Sequence, residues 1–560
     1  MGQGSSMPRS MGQGGSMGGS MGQEGSMGGS VGQEGSVGQE GSMGRRVGQE
    51  GSMPGSMGQE GSVGQEGSMG RRVGQEGSMG QSVGQEGSMG ESVGQEGSVG
   101  QEGSMGRRMG QEGSMGGSVG QEGSVGQEGS MGRRVGQVQA QLGQGRALAV
   151  LTWGELLRAL LVLGLCAHPR LQRDPQAFLL LSRRALGRRL WRSLLSVSLW
   201  GHFAVGLSPT AVAALGRRLR ARGLRPMLAL PMEGDAPHGQ GEARLQQNCG
   251  AALRCVGLAA AAGPEPAMQL KLTALLDPRL CEKIALRLAE PEGAGLSPEE
   301  VAAMLDGQAP ALDWLSPDEN EALGRGLGRL QRVVQAAVAG GVQVLVDAEL
   351  SHLNPALTCL TCGLIWRHNR AGPRPWVWHT WQAYLRDTES LLGAHLAQVR
   401  GAGLRCGVKL VRGAYLAQEQ GRARERGRPA PTWDTPEQTS ASYERCLALV
   451  LAALARPDPG LALMVATHNE ESAMAALRGM SRVPPGSVCF GQLRGMGDSL
   501  SLALASGGFR VYKSVPVGPP EVTVPYLARR AAENREALGG ARREREQLWA
   551  ELRRRLRPWA

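Results

Sequence analysis

The stretch "VPYLARRAAENR" (524–535) sets Arg529 beside Arg530, with Tyr526 three residues before the pair and Glu533 three after it. On a helix, residues three and four apart share a face, so a phenol and a carboxylate flank two permanent cations. Two neighbouring guanidiniums grip a carboxylate through forked, charge-assisted hydrogen bonds. Lys271 can add a third positive contact, and Glu533 can hold one arginine still. Alone, such a stretch is most simply a solvated, charge-laced helix face. What surrounds it changes that reading.

Other chemistry-bearing residues recur along the chain: Asp347 with Glu349, Gln382, Lys409 with Arg412 and Tyr415, Thr467-His468-Asn469, Gln492 and Ser514. They contain no Ser-His-Asp order, metal-ligand cluster or phosphate-binding loop. His468 stands in "HNEES", which is poor zinc geometry, and a lone histidine of this kind is more often a structural hydrogen-bonding group. Such a set can position an amino or imino acid but offers no obvious nucleophile, so the reaction must be borrowed from a cofactor.

The elements that must position these groups are legible as apolar runs of strand length, each followed by a helical stretch. They are "RPMLALP" (225–231), "AMQLKLTAL" (267–275), "GVQVLVDAE" (341–349), "WVWHTWQAY" (376–384), "CGVKLVRGAY" (406–415), "LALMVATHN" (461–469), "SVCFGQLRGM" (487–496) and "FRVYKSVPVG" (509–518). Near-continuous hydrophobicity indicates strands covered on both faces, hence a parallel sheet. Eight alternating units predict a distorted (βα)8 TIM-type barrel of the α/β class, with its chemistry at the C-terminal strand ends. The polar residues named above fall at or near those ends, and the helix after the eighth strand brings Tyr526, Arg529, Arg530 and Glu533 to the same mouth. The rival, a doubly wound open sheet, usually has a glycine-rich phosphate loop after its first strand, and "LALPMEGD" is not one.

Composition divides the chain of 560 residues in three. Residues 1–137 repeat units such as VGQEGS, MGGS and MGRR, without an aromatic residue, Leu or Ile. They predict a disordered low-complexity tail, since so little apolar area cannot offset the entropy of ordering. Arg-Arg pairs at 45–46, 71–72, 107–108 and 133–134 are sparse, alternate with Glu and lack aromatic neighbours, so no nucleic-acid partner is expected. Residues 138–224 read as an N-terminal helical region and 225–560 as the barrel with C-terminal helices. The net charge of +11 belongs to this body. Its Arg-rich helices read as solvated faces, or as a basic face resting on an anionic membrane. The longest apolar helix candidate, "LLRALLVLGLCA" (156–167), is too short to span a bilayer. Nine scattered cysteines argue against a disulfide framework; Cys359 and Cys362 are expected to be core thiols, with no metal. The N-terminus carries no clean targeting signal.

"KLVRGAY" (409–415), "ATHNEES" (466–472), "FGQLRGMGD" (490–498) and "PYLARRAAENR" (525–535) resemble, in the same order, the signature segments of the proline dehydrogenase family; "LKLTAL", "LVDAE" and "WQAYL" fit its earlier strands. The resemblance covers roughly 150–550. It implies a barrel holding non-covalent FAD, oxidation of the ring carbon–nitrogen bond of a proline-type substrate, and electron transfer to membrane quinone. It also implies peripheral membrane association in mitochondria, on the matrix side of the inner membrane. By the same resemblance Arg529 and Arg530 hold the substrate carboxylate with help from Lys271, Glu533 braces the arginines, and Tyr526, Tyr415 and Leu493 wall the ring. Asp347 belongs to the polar network beneath. Gln382, Lys409, Arg412, Gly413, Thr467, His468, Asn469 and Gln492 face the flavin. Lys409 stands where many relatives carry Arg; it keeps the charge and loses the fork.

Ser514 is the departure with a consequence for substrate. Proline-specific members carry a tyrosine there, against ring carbon four; Ser opens space and leaves a hydroxyl that a 4-hydroxylated substrate can meet. Tyr512, two residues away, is expected to point elsewhere. "LALPMEGD", with Ala229 where proline-specific relatives place an acid, and "YKSVPVG" are similar to the hydroxyproline dehydrogenase branch. The implied reaction is trans-4-hydroxy-L-proline to 1-pyrroline-3-hydroxy-5-carboxylate, with weaker proline use. The alternatives are an enzyme acting mainly on L-proline, a flavin barrel of the methylenetetrahydrofolate reductase type, and an inactive barrel serving as scaffold for an interaction tail.

Overall fold

The computed structural model describes residues 119–168, 174–232, 241–290, 295–308, 311–370, 372–457, 460–533 and 537–557. The expected tail lies outside the described residues up to 118. From there the structure differs from expectation: helix α1, Val119–Gly143, runs through the boundary drawn at 137. It is held by docking, since the Arg134 guanidinium donates to the carbonyls of Gly507 (2.8 Å) and Gly508 (2.7 Å). Arg134 also lies 4.3 Å from the Phe509 ring centroid, and Val138 is fully buried. A repeat unit poor in apolar area is ordered here because the barrel supplies the missing surface.

Among the described residues, four further α-helices precede the sheet: α2 (Trp153–Cys166), α3 (Pro175–Val197), α4 (Leu199–Phe203) and α5 (Pro209–Arg220). The strands are β1 (Leu224–Ala229), β2 (Ala267–Leu270), β3 (Gln343–Val346), β4 (Val377–Gln382), β5 (Cys406–Val411), β6 (Leu461–Ala466), β7 (Val488–Leu493) and β8 (Val511–Pro516). They close in sequence order, each parallel to its neighbours, with β8 pairing β1. Every run marked as a strand in the sequence contains one, though the second, 267–275, is a strand only to Leu270 and then turns into a 3-10 helix, Leu272–Ala274.

Successive strand side chains alternate between faces, which stacks the barrel interior in layers. The lower layer is a packed apolar floor: Met227, Ala267, Leu345, Trp378, Met464, Cys489 and Tyr512. Gly407 completes it. A Cβ at Gly407 would sit 2.1 Å from the Trp378 ring, so glycine is what lets the indole lie across β5. Two residues on, the next layer holds Ala229, Gln269, Asp347, Lys409, Gly491 and Ser514. Hydrocarbon gives way to polar chemistry at this level.

The helix after β8, Pro520–Glu533, lies on the N-terminal helices. Val524 is buried with Val162 of α2, Leu179, Trp191 and Leu195 of α3, and Leu199 of α4. Arg192 pairs with Glu521 at 2.8 Å, and the Trp200 indole donates to the Gly518 carbonyl at 3.0 Å. A last helix, Ala537–Leu556, returns its Glu544 to the loop after β7. The carboxylate accepts from the backbone N–H groups of Gly497 (2.8 Å) and Asp498 (2.7 Å).

Candidate active site

The polar layer is joined across the barrel by hydrogen bonds. Ser514 on β8 donates to Gln269 Oε1 on β2 at 2.7 Å, and Gln269 Nε2 donates to Asp347 Oδ1 just past β3 at 3.2 Å. Lys409 Nζ on β5 reaches the same oxygen at 2.7 Å. Lys409 is buried and Asp347 half-buried, so this pair sits in a partly desolvated interior where its attraction is stronger than in water. Asp347 thus pairs with Lys409, while the Lys271 ammonium stands 5.8 Å from the ring centroid of buried Tyr415. Lys271 follows β2 directly, two residues beyond Gln269, so both belong to the side of the strand that faces the mouth.

Tyr512 corrects a second expectation. It does not turn away from Ser514; the two-residue period puts both inside the barrel. Tyr512 lies one layer deeper, buried in the floor with its hydroxyl donating to the Glu265 carbonyl at 3.2 Å, and so stays below the polar layer. Leu493, in register with Ser514 on the neighbouring strand, is 41% exposed and forms part of the rim. The helix Pro520–Glu533 carries the half-buried Tyr526; the side chains of Arg529, Arg530 and Glu533 lie outside the described residues.

The other arc of the mouth is a second network. Arg412 donates to Thr467 Oγ1 (2.7 Å), Ser472 Oγ (2.9 Å) and Ser440 Oγ (3.4 Å), with its guanidinium over the Tyr443 ring. Gln492, buried on β7, donates to the Thr467 carbonyl at 3.2 Å and accepts from Ser501. Asn469 caps the helix Glu470–Gly479, its Oδ1 accepting from Ser472 N at 2.8 Å. Gln382 ends β4 and exchanges hydrogen bonds with Asn354 and Tyr384. Gly413, at φ 141, packs on the Tyr384 ring, where a Cβ would fall 2.4 Å from ring carbons.

His468 Nε2 accepts from the Leu493 N–H at 3.3 Å. Burial, with Lys513 nearby, lowers its pKa to about 4, so the ring is neutral at pH 7 and Nδ1 carries the proton. That buried Nδ1 has no hydrogen-bond partner among the described residues.

The sequence reading passed over Gln269, and with it the cluster of Lys513, Asp498 and Glu544 behind β7. Lys513 pairs with Asp498 at 2.7 Å and donates to the Met496 carbonyl at 2.8 Å. Gln269 sits in mid-strand, where polar residues were not sought; its spacing of two from Lys271 was the available signal. Among the described residues no group of His, Cys, Asp and Glu could hold a metal ion. No disulfide links any of the nine cysteines, and Cys359 and Cys362 are buried.

An eight-stranded parallel barrel with a charged and hydrogen-bonded layer above an apolar floor is the frame of a barrel enzyme. Residues 217–543 match the family model described as proline dehydrogenase, and this chain belongs to that family. It is 46% identical to the hydroxyproline dehydrogenase of Bos taurus over 74% of this chain and 92% of that protein, and 47% identical to that of Homo sapiens over 72% and 91%. It is 30% identical to proline dehydrogenase 1, mitochondrial, of Homo sapiens, over 72% and 88%. In fold it resembles the crystal structure of proline utilization A from Bdellovibrio bacteriovorus, with a TM-score of 0.51 at 18% identity over 72% of this chain and 41% of that one.

Proposed function

We propose that this chain is a flavin-dependent dehydrogenase that oxidises trans-4-hydroxy-L-proline to 1-pyrroline-3-hydroxy-5-carboxylate. The observation that carries the substrate is Ser514: a small hydroxylic residue in the polar layer, with Ala229 two residues beyond its register partner Met227 on β1 and the large Tyr512 held one layer below. Space and a hydrogen-bonding oxygen coincide there. The relatives named hydroxyproline dehydrogenase share more identity with this chain than proline dehydrogenase 1 does, which supports the same reading.

The residues present suit FAD. Lys409, Gln382 (through Nε2) and Arg412 supply donors around one arc of the mouth, and the Nδ1–H of His468, without a partner among the described residues, is a buried donor in want of an acceptor. Thr467, Asn469, Gly413 and Gln492 complete the proposed set. FAD, when bound, would supply the two-electron acceptor for oxidation at the ring carbon beside nitrogen. The protein's part is to hold that carbon in place, an alignment worth about 7–11 kcal/mol, and to keep the amine unprotonated. Arg529, Arg530 and Lys271 hold the carboxylate, Glu533 braces the arginines, and Tyr415, Tyr526 and Leu493 close on the ring.

Electrons then pass to a membrane quinone, with the protein resting on the inner mitochondrial membrane. No helix among the described residues is long and apolar enough to cross a membrane. Supporting peripheral contact, α3 exposes Leu190, Leu194 and Val197 along one stripe beside Arg188, Arg189 and Arg192. The mitochondrial relative accords with this location. The test is an anaerobic titration of the full chain with hydroxyproline and with proline, followed at the flavin band. Bleaching by hydroxyproline at lower concentration is expected; equal or better use of proline overturns the substrate, and a colourless protein overturns the enzyme.

A further inference from the structure

The relay Ser514–Gln269–Asp347–Lys409 has a direction, and the direction has chemical content. Lys409 Nζ donates to Asp347 Oδ1 at 2.7 Å, and the carboxylate oxygen of this ion pair accepts. The Gln269 atom 3.2 Å from the same oxygen must then be Nε2, a donor, which turns Oε1 towards Ser514. An amide oxygen only accepts, so the hydrogen bond at 2.7 Å spends the proton of Ser514. Each assignment follows from the one before. The lone pairs of Ser514 Oγ remain.

We infer that Gln269 is a specificity-determining positioning residue, which commits the Ser514 hydroxyl proton so that Oγ faces the substrate as an acceptor and reads its 4-hydroxyl as a donor. This rests on the substrate reading above and extends it to a residue that touches no substrate. Without Gln269, Ser514 would rotate freely, could spend its proton on water, and would offer no fixed acceptor. A proline ring offers no O–H and leaves the acceptor unmet, so the buried oxygen penalises proline. Selection by an unsatisfied partner is sharper than selection by volume alone.

The experiment compares kcat/KM for trans-4-hydroxy-L-proline and L-proline in the flavin-loaded full chain and in Gln269→Leu, Gln269→Glu and Ser514→Ala. Gln269→Leu is expected to lower the hydroxyproline-to-proline ratio about tenfold, the scale of one buried hydrogen bond, mainly through KM for hydroxyproline. Gln269→Glu is expected to restore much of the ratio across the pH range. A carboxyl beside Asp347 holds its proton more tightly, and once protonated it both donates to Asp347 and accepts from Ser514. Ionised, its oxygens still accept from Ser514, so the hydroxyl proton stays committed in both states, a rescue that a purely structural role would not give.

If Ser514→Ala collapses the ratio and Gln269→Leu leaves it intact, the relay is refuted and the substrate reading stands. If Ser514→Ala leaves the ratio intact, both fail. Equal loss on both substrates in Gln269→Leu, with no restoration in Gln269→Glu, makes Gln269 structural and overturns the inference. Should Gln269→Leu fold poorly, Gln269→Glu decides alone: a ratio that falls to the level of Ser514→Ala refutes it.

Discussion

Lys409 and Asp347 allow a quantitative test of the polar layer. The Lys409 side chain is 7% exposed and that of Asp347 25%, so removing the carboxylate strands a cation in a mostly dry interior. Breaking a fully buried pair costs about 3–5 kcal/mol; the partial exposure of Asp347 lets water in and argues for the lower end, about 3 kcal/mol. Asp347→Leu and Lys409→Met should each lower the stability of the full chain by about that amount. At roughly 2 °C per kcal/mol for a chain of this size, each melting midpoint should fall by about 6 °C. The double variant replaces both charges with hydrocarbon, and its loss should be well below the sum, leaving a coupling energy of about 2 kcal/mol or more. The cycle also removes a confounding term: any loss of flavin contact on substituting Lys409 occurs in the single and the double variant alike. The assay is thermal unfolding at pH 7 without added substrate. Additive losses would refute the view that the two groups depend on one another.

Ser514→Tyr should refill the space above Tyr512 and move the preference towards proline, changing the kcat/KM ratio on the order of 100-fold; an unchanged ratio counts against Ser514 as the discriminating position. Burial and the neighbouring Asp498 charge raise Glu544 to about 7. A raised carboxyl favours folding fully below its unfolded value near 4.5 and loses that contribution as pH rises through the folded one. Glu544→Gln should therefore flatten the fall in melting temperature between pH 5 and 8, and a parallel profile for the variant refutes it. His202 and His468, both lowered to about 4 chiefly by burial, act with the opposite sign: stability is complete above about 6.5 and lost as pH falls towards 4. Gly407→Ala forces a methyl into the Trp378 ring and should cost about 1–3 kcal/mol by denaturant unfolding; a neutral result would mean the indole can leave the floor. Asn469→Ala removes a helix cap and should cost about 1 kcal/mol in the same assay.

The barrel was legible because a strand covered on both faces is written mostly in hydrocarbon, and each of the eight carries such a run even where Gln269, His379, Lys409 or Lys513 interrupts it. The site was legible where polar residues interrupt that hydrocarbon near a strand end, as Asp347, Gln382 and Thr467 do. Partnership was not legible. Nothing in the spacing of Lys271, Asp347 and Lys409 says which lysine the carboxylate meets, because that depends on which strands lie across the barrel from one another. Gln269 escaped notice inside a strand, and Tyr512 was misplaced by neglecting that alternate residues share a face. α1 was missed for another reason: its glycine-rich sequence has little helical tendency of its own, and the surface that orders it is supplied by residues more than 350 positions away.

The anchoring of α1 has a consequence for how this protein can change over time. Arg134, in the last of four Arg-Arg pairs spaced along the repeat, meets Gly507 and Gly508. Gain or loss of whole units upstream of Val119, by the slippage to which repetitive genes are prone, would leave Arg134 and both of its carbonyl partners in the chain. The mooring is thus written within the final units, whatever the number of units before them.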